Sequence, residues 1–256
     1  MKYLNFYILT IFILFLSGCS EEAKKYETLI REEAEKNNTE VTDIYVKKTA
    51  NFLAIWSKED FYTDEINEFI KKDLSSPPKE NQVLFVGSSS IRFWKSLKED
   101  MHPIKVLNRG FGGAHINHVN YHFDQVVKPY KPSGIVFFCG TNDLTALKSA
   151  SEVMQDFSSF YSRVKSELPG VKVFVIGIKP SIAREYLKLK EIQVNRMIEE
   201  LASKEDNLEF IDVWDSMLLP NGKANPNLFV DDGLHLNENG YKLWAKIVKP
   251  ILESYL

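Results

Sequence analysis

Cysteine is scarce in this 256-residue chain: it has two, Cys19 and Cys139, so the fold is not one stapled by disulfides. An excess of positive charge is missing as well. With 32 Lys and Arg against 35 Asp and Glu the formal charge is −3, so no basic field recruits nucleic acid, and the expected partner is a small or neutral molecule. No repeat with a period of roughly 20 to 50 residues and no low-complexity tract interrupts the chain, which argues against a solenoid.

What is present begins at the N-terminus. In MKYLNFYILTIFILFLSGCS, Lys2 precedes an apolar run over residues 7–16 that ends at small residues and Cys19. That is the order of a secretory signal, and the run is shorter than the roughly 20 residues that span a bilayer core. Leu16-Ser17-Gly18-Cys19 resembles the bacterial lipobox, which implies that residues 1–18 are removed and Cys19 is acylated. The expectation is a membrane-anchored lipoprotein of the cell envelope, at the outer membrane or cell surface, since Ser20 rather than Asp follows Cys19. Losing Lys2 takes the charge from −3 to −4, and residues 19–256 suffice for one large domain. Cys139 then stands alone in the apolar run GIVFFCG, where a buried, inert thiol is expected.

Residues 20–45 are charge-rich and helix-prone, the composition of a spacer. An apolar stretch with Phe52, Leu53, Ile55 and Trp56 and a helical pattern at Ile66, Phe69 and Ile70 follow, ended by Ser75-Ser76-Pro77-Pro78. From Gln82 the pattern changes. Apolar, β-branched runs at 82–87, 104–108, 134–140, 171–178 and 208–214 alternate with helical segments near 91–100, 116–129, 150–167, 184–204 and 238–255. Strands that are apolar throughout and joined by helices are buried on both faces, so a parallel α/β sheet is expected. Ligands of such sheets bind beyond the carboxyl ends of the strands, which directs attention to the loops there.

After the first run comes Gly87-Ser88-Ser89-Ser90. These serines either turn the chain, with Ser90 capping a helix that starts at Ile91, or present a nucleophilic hydroxyl at a strand-to-helix turn. After the second comes Asn108-Arg109-Gly110-Phe111-Gly112-Gly113. Its glycines let backbone N–H groups approach a ligand, but it lacks the spacing and position of a dinucleotide fingerprint. Gly140-Thr141-Asn142-Asp143 offers the Asn142 amide as an oxyanion donor, with Asp143 expected to cap the following helix. In Asp231-Asp232-Gly233-Leu234-His235 the three-residue spacing from Asp232 lets a carboxylate orient an imidazole.

GSSSI, NRGFGG, GTND and DDGLHLNENGY, in that order and each after its strand, resemble the four blocks of the SGNH (GDSL) hydrolase family. The resemblance runs from about Gln82 to the C-terminus, and four ordered blocks are far more specific than one. It implies a flavodoxin-like three-layer α/β/α fold with five parallel strands over residues 81–256; the helical spacer and lead-in read from composition at 19–80 are expected to pack on that domain. The resemblance implies serine esterase activity without metal or organic cofactor, on acetyl or short-acyl esters of carbohydrates or on lysophospholipid-type esters. Ser89 is then the nucleophile, His235 the base and Asp232 its orienting carboxylate. Ser89 N–H, Gly113 N–H and the Asn142 side chain form the oxyanion hole. Two positions depart from the family pattern: Ser88 stands where Asp is usual, and Ala114 replaces the Asp that often follows the glycine pair.

Other residues need weighing. His115, His118 and His122 have spacings that could share a helix face, yet neither an H-E-x-x-H motif nor a nearby cysteine accompanies them, so a solvated or packed face is expected instead of a metal site. His115, beside Gly113, is assigned to the substrate pocket. Trp94 is expected in the core, and Arg92 and Asp231 on the surface. Two rival readings keep the same fold. A non-catalytic surface lipoprotein binding glycan or lipid leaves Ser89, Asn142, Asp232 and His235 without purpose, and a phosphate or flavin binder using GSSS as an anion loop leaves Asp232 and His235 idle.

Overall fold

In a computed structural model, which describes residues 20–256, the chain divides into two units between Phe61 and Tyr62. The first holds α1 (Glu21–Lys36) and α2 (Asp43–Trp56), which pack on each other. Ser20 caps α1 by accepting from the Ala23 N–H, and Thr42 caps α2 by accepting from that of Tyr45. The buried residues of α1, Ala23, Tyr26, Ile30 and Ala34, fall at helical three- and four-residue spacing. The Tyr26 hydroxyl donates to Ser57 Oγ at 2.7 Å, closing the pair. Residues 1–18, expected as a signal segment, and Cys19, expected as the acylated residue, lie outside the described residues.

The second unit starts with α3 (Thr63–Ser75), expected to belong to the lead-in but grouped with the sheet. Ile66 is 1 % exposed within the sheet's core, and Asp73 accepts from both Arg109 and the Tyr130 hydroxyl. Then come β1 (Val83–Gly87), α4 (Ser89–Arg92), α5 (Leu97–Met101), β2 (Val106–Gly110), α6 (Ile116–Tyr121), α7 (Phe123–Val126), β3 (Gly134–Phe138) and α8 (Thr141–Thr145). The remainder is α9 (Ala150–Glu167), β4 (Lys172–Ile176), α10 (Lys188–Ala202), β5 (Leu208–Ile211) and α11 (Glu238–Tyr255).

All strand pairs are parallel, in the order β2-β1-β3-β4-β5. Alternate residues face opposite sides of a strand, and both sides are covered. Leu84, Val86, Ile135, Phe137, Val173 and Val175 meet Val119, Val153, Phe157, Phe160, Val194 and Ile198 of α6, α9 and α10. Val83, Phe85, Val136, Phe138, Phe174 and Ile176 meet Trp94, Leu97, Trp244 and Val248 on the α5 and α11 side. This is the three-layer α/β/α fold expected, with the flavodoxin-like strand order whose switch point lies between β1 and β3.

Several elements are shorter than their apolar runs because side chains take over the backbone. The β4 run stops at Ile176: Asn195 Oδ1 accepts from the Ile178 N–H at 2.7 Å while its amide donates to the Ile178 carbonyl at 2.8 Å. The β5 run stops at Ile211, where Asp212 Oδ1 accepts from the Trp214 N–H. The helix expected at 91–100 is two, α4 and α5, and that expected at 116–129 breaks at His122 into α6 and α7. By contrast α9 starts with a reciprocal Ser149–Glu152 capping box.

Candidate active site

Gly87 ends β1 at φ +140°, where a Cβ would lie 2.0 Å from the Phe138 carbonyl oxygen. Only glycine fits, and this lets the chain turn sharply into α4 with Ser89 as its first residue. Ser88 and Ser90 on either side are buried, while Ser89 is partly open. The cap position of α4 falls to Ser88, with no side-chain cap bond.

Beyond β5, Phe229 and Leu236 bridge across a tight loop in which the Gly233 N–H donates to Val230 O and the Val230 N–H to His235 O. Asp232 Oδ1 accepts from the backbone N–H groups of Leu234 and His235 at 2.8 and 2.9 Å. Its Oδ2 lies 2.6 Å from His235 Nδ1. The opposite nitrogen, Nε2, is 3.0 Å from Ser89 Oγ. Residues 146 apart in sequence thus form one chain of hydrogen bonds. Burial pushes the Asp232 carboxyl up, but the bonds from the His235 ring and from the two amides outweigh it and hold it below its ordinary value. A carboxylate there keeps a proton on Nδ1 and leaves Nε2 able to accept one from Ser89. Phe93 sets its ring against the imidazole, centroids 5.1 Å apart.

The loop after β4, which sequence reasoning passed over, braces this arrangement. The Lys179 ammonium donates to Leu234 O at 2.6 Å and lies over the Phe229 ring, and the N–H groups of Ile182 and Ala183 donate to Gly233 O. Lys179 and Glu191 are both buried, which pushes the lysine down and the glutamate up. No pattern in the chain marked this loop, for Lys179 follows a run, VKVFVIGI, that already contains Lys172.

Asn142, buried at the start of α8, donates through Nδ2 to Ala114 O at 3.0 Å, and its Oδ1 accepts from Arg184 Nη1 at 2.9 Å. One Nδ2 hydrogen is left over. The Ser89 N–H has no acceptor among the described residues. Gly113, expected to face the site, directs its N–H to the Tyr62 hydroxyl at 2.9 Å instead. Tyr62 lies tightly over this loop, for a Cβ on Gly112 would fall 1.9 Å from its ring.

Two further expectations change, those for His115 and Asp143. His115 does not line an accessible pocket: it is fully buried at the N-cap of α6, its ring stacked on His118 at 4.7 Å and its imidazole held well below the ordinary value by burial. His118 is occupied too, its Nδ1 accepting from the His115 N–H at 2.9 Å. Asp143 caps α6 and not the helix that follows it, accepting from the Ile116 N–H while pairing with Lys148 at 3.0 Å. Cys139 is buried with its thiol against Ala114 O, and burial pushes it well up. Trp94 is in the core, stacked on Tyr241, and Arg92 is half-exposed and paired with Glu65. Asp231 is exposed.

Loops after β1, β2, β3 and β5 therefore meet at one end of the sheet, a flavodoxin-like α/β fold carrying a hydroxyl, an imidazole and a carboxylate in series. The chain belongs to the GDSL-like Lipase/Acylhydrolase family, whose model matches residues 86–243, and is an SGNH-type hydrolase of ester bonds. Among solved structures, one described as a platelet activating factor from Streptococcus pneumonia is 21 % identical, covering 83 % of this chain and 100 % of its own with a TM-score of 0.68. A GDSL-like lipase from Bacteroides thetaiotaomicron is 19 % identical over 75 % of this chain and 98 % of its own, TM-score 0.62. A carbohydrate esterase family 3 protein from Talaromyces cellulolyticus is 18 % identical over 69 % and 98 %, TM-score 0.56. No curated protein matches the chain.

Proposed function

We propose that the chain is a serine esterase that works through an acyl-enzyme on acetyl or short-acyl esters of carbohydrates or on lysophospholipid-type esters. The observation that carries this reading is the continuous Ser89–His235–Asp232 series at 3.0 and 2.6 Å. Ser89 Oγ attacks the ester carbonyl as His235 Nε2 takes its proton. The Ser89 N–H and the remaining Asn142 Nδ2 hydrogen receive the oxyanion. His235 then protonates the departing alcohol, and water, activated by the same imidazole, releases the acid and restores Ser89. The chemistry asks for no metal or organic cofactor.

The family supports ester hydrolysis; the carbohydrate esterase and lipase among the structural neighbours support the two substrate classes named. The lipobox-like Leu16-Ser17-Gly18-Cys19 supports anchoring at the cell envelope through lipidated Cys19. The test is a panel of p-nitrophenyl esters from acetate to palmitate, hydrolysed by the form that begins after Cys19. The short esters should turn over fastest, and Ser89→Ala should lose roughly 10⁴-fold or more in kcat. Turnover by Ser89→Ala equal to that of the wild type would refute the assignment.

A further inference from the structure

We propose that Arg184 is a positioning residue for the oxyanion hole, acting through Asn142. An asparagine amide fits a cleft in two orientations, and only the one that aims Nδ2 at the reacting carbonyl stabilises an oxyanion; the other aims Oδ1 there and repels it. Two neighbours choose between them. Ala114 O, an acceptor only, sits 3.0 Å from Nδ2, and Arg184 Nη1, a donor only, sits 2.9 Å from Oδ1. Flipping the amide would set oxygen against oxygen and N–H against N–H.

The guanidinium also draws electron density toward Oδ1, which makes the Nδ2 hydrogen a stronger donor. Arg184 is itself held: Nη1 donates to Thr141 Oγ1 at 3.1 Å, and the Thr141 hydroxyl donates onward to Glu191 Oε1 at 2.8 Å. Glu191 is 1 % exposed, so its interaction with both Arg184 and Lys179 is little screened by solvent. The loop after β4 thereby serves both halves of the site, Lys179 fixing the His235 loop and Arg184 the Asn142 amide.

This role rests on the oxyanion assignment of Asn142, and a double-mutant cycle separates the two. Steady-state kinetics on p-nitrophenyl acetate would be measured for the form beginning after Cys19 and for Arg184→Met, Arg184→Lys, Asn142→Ala and Arg184→Met with Asn142→Ala. The expected loss in kcat is about 10-fold or more for Arg184→Met, with KM within about two-fold, and roughly 10²–10³-fold for Asn142→Ala. In the double variant the methionine should add less than about two-fold, because the group it acts through is gone. Arg184→Lys, which keeps a charged donor, should recover part of the loss. Losses that multiply in the double variant, or an Arg184→Met enzyme as fast as wild type beside a crippled Asn142→Ala, would overturn the role of Arg184 and leave the hole intact. An unimpaired Asn142→Ala would overturn both. Should Arg184→Met fail to fold, Arg184→Gly with and without added guanidinium decides: restored kcat supports the role, and a folded but unresponsive enzyme opposes it.

Discussion

At the scale of single residues, Asp232 has three donors for its two oxygens: the His235 ring and the N–H groups of Leu234 and His235. Asp232→Asn keeps the shape but lets the side-chain amide donate, so Nδ1 would have to accept and Nε2 would carry the proton. A base that already holds its proton cannot take one from Ser89. The expected outcome is a fall of roughly 10³–10⁴-fold in kcat with KM little changed, measured on p-nitrophenyl acetate. The Asp232 carboxyl, held below its ordinary 3.8, also contributes stability that is present above that pH and is lost as the pH falls through its folded value. The polar blocks at 87–90, 140–143 and 231–235 stand out along the chain, but choosing Ser89 among three serines and Asp232 over Asp231 took the resemblance to the SGNH family. Tyr62, Lys179 and Arg184 do not stand out, since a lone tyrosine, lysine or arginine carries no spacing, and what gives each meaning is an acceptor or donor brought in from elsewhere in the fold. His115 misled for the matching reason: adjacency to Gly113 says nothing about which way a helix N-cap turns its ring.

At the scale of elements, α6 and α8 are joined by a buried carboxylate. Burial pushes Asp143 up to about 6, against the pull of Lys148 and the Ile116 N–H. A carboxyl raised on folding binds its proton more tightly in the folded chain, so its contribution is fully present below the ordinary 3.8 and lost as pH rises through about 6. Asp143→Asn should therefore flatten the part of the stability profile between about pH 4 and 6 relative to wild type. Urea midpoints across that range check it, and parallel profiles would contradict the assignment. The strands were legible because β1 and β3 are buried throughout and apolar along their whole length, while β2, β4 and β5 keep mostly apolar runs around Asn108, Lys172 and Glu209. Their ends were not. Asn195 replaces the ladder beyond Ile176, and no apolar pattern records a polar side chain arriving from a helix.

At the scale of the whole molecule, the division between Phe61 and Tyr62 differs from the boundary near residue 80 suggested by the Ser-Ser-Pro-Pro break. Helix α3 has the same amphipathic pattern as a lead-in helix; its place is decided by Ile66 in the core and Asp73 on Arg109, contacts that sequence spacing does not express. Among the described residues no helix is long and apolar enough to cross a membrane; the anchoring proposed is through Cys19. Cells expressing the full chain and fed an alkyne fatty acid should label the wild type but not Cys19→Ser, and equal labelling of both would dismiss the lipoprotein reading.

Because every strand runs the same way, the turns that enter the strands lie at the far pole from the chemistry. The turn between α9 and β4 shows what that permits: Gly170 there has φ +85° and open space around its Cα. A fluorophore, affinity tag or solid support grafted at that corner would leave the catalytic mouth unobstructed.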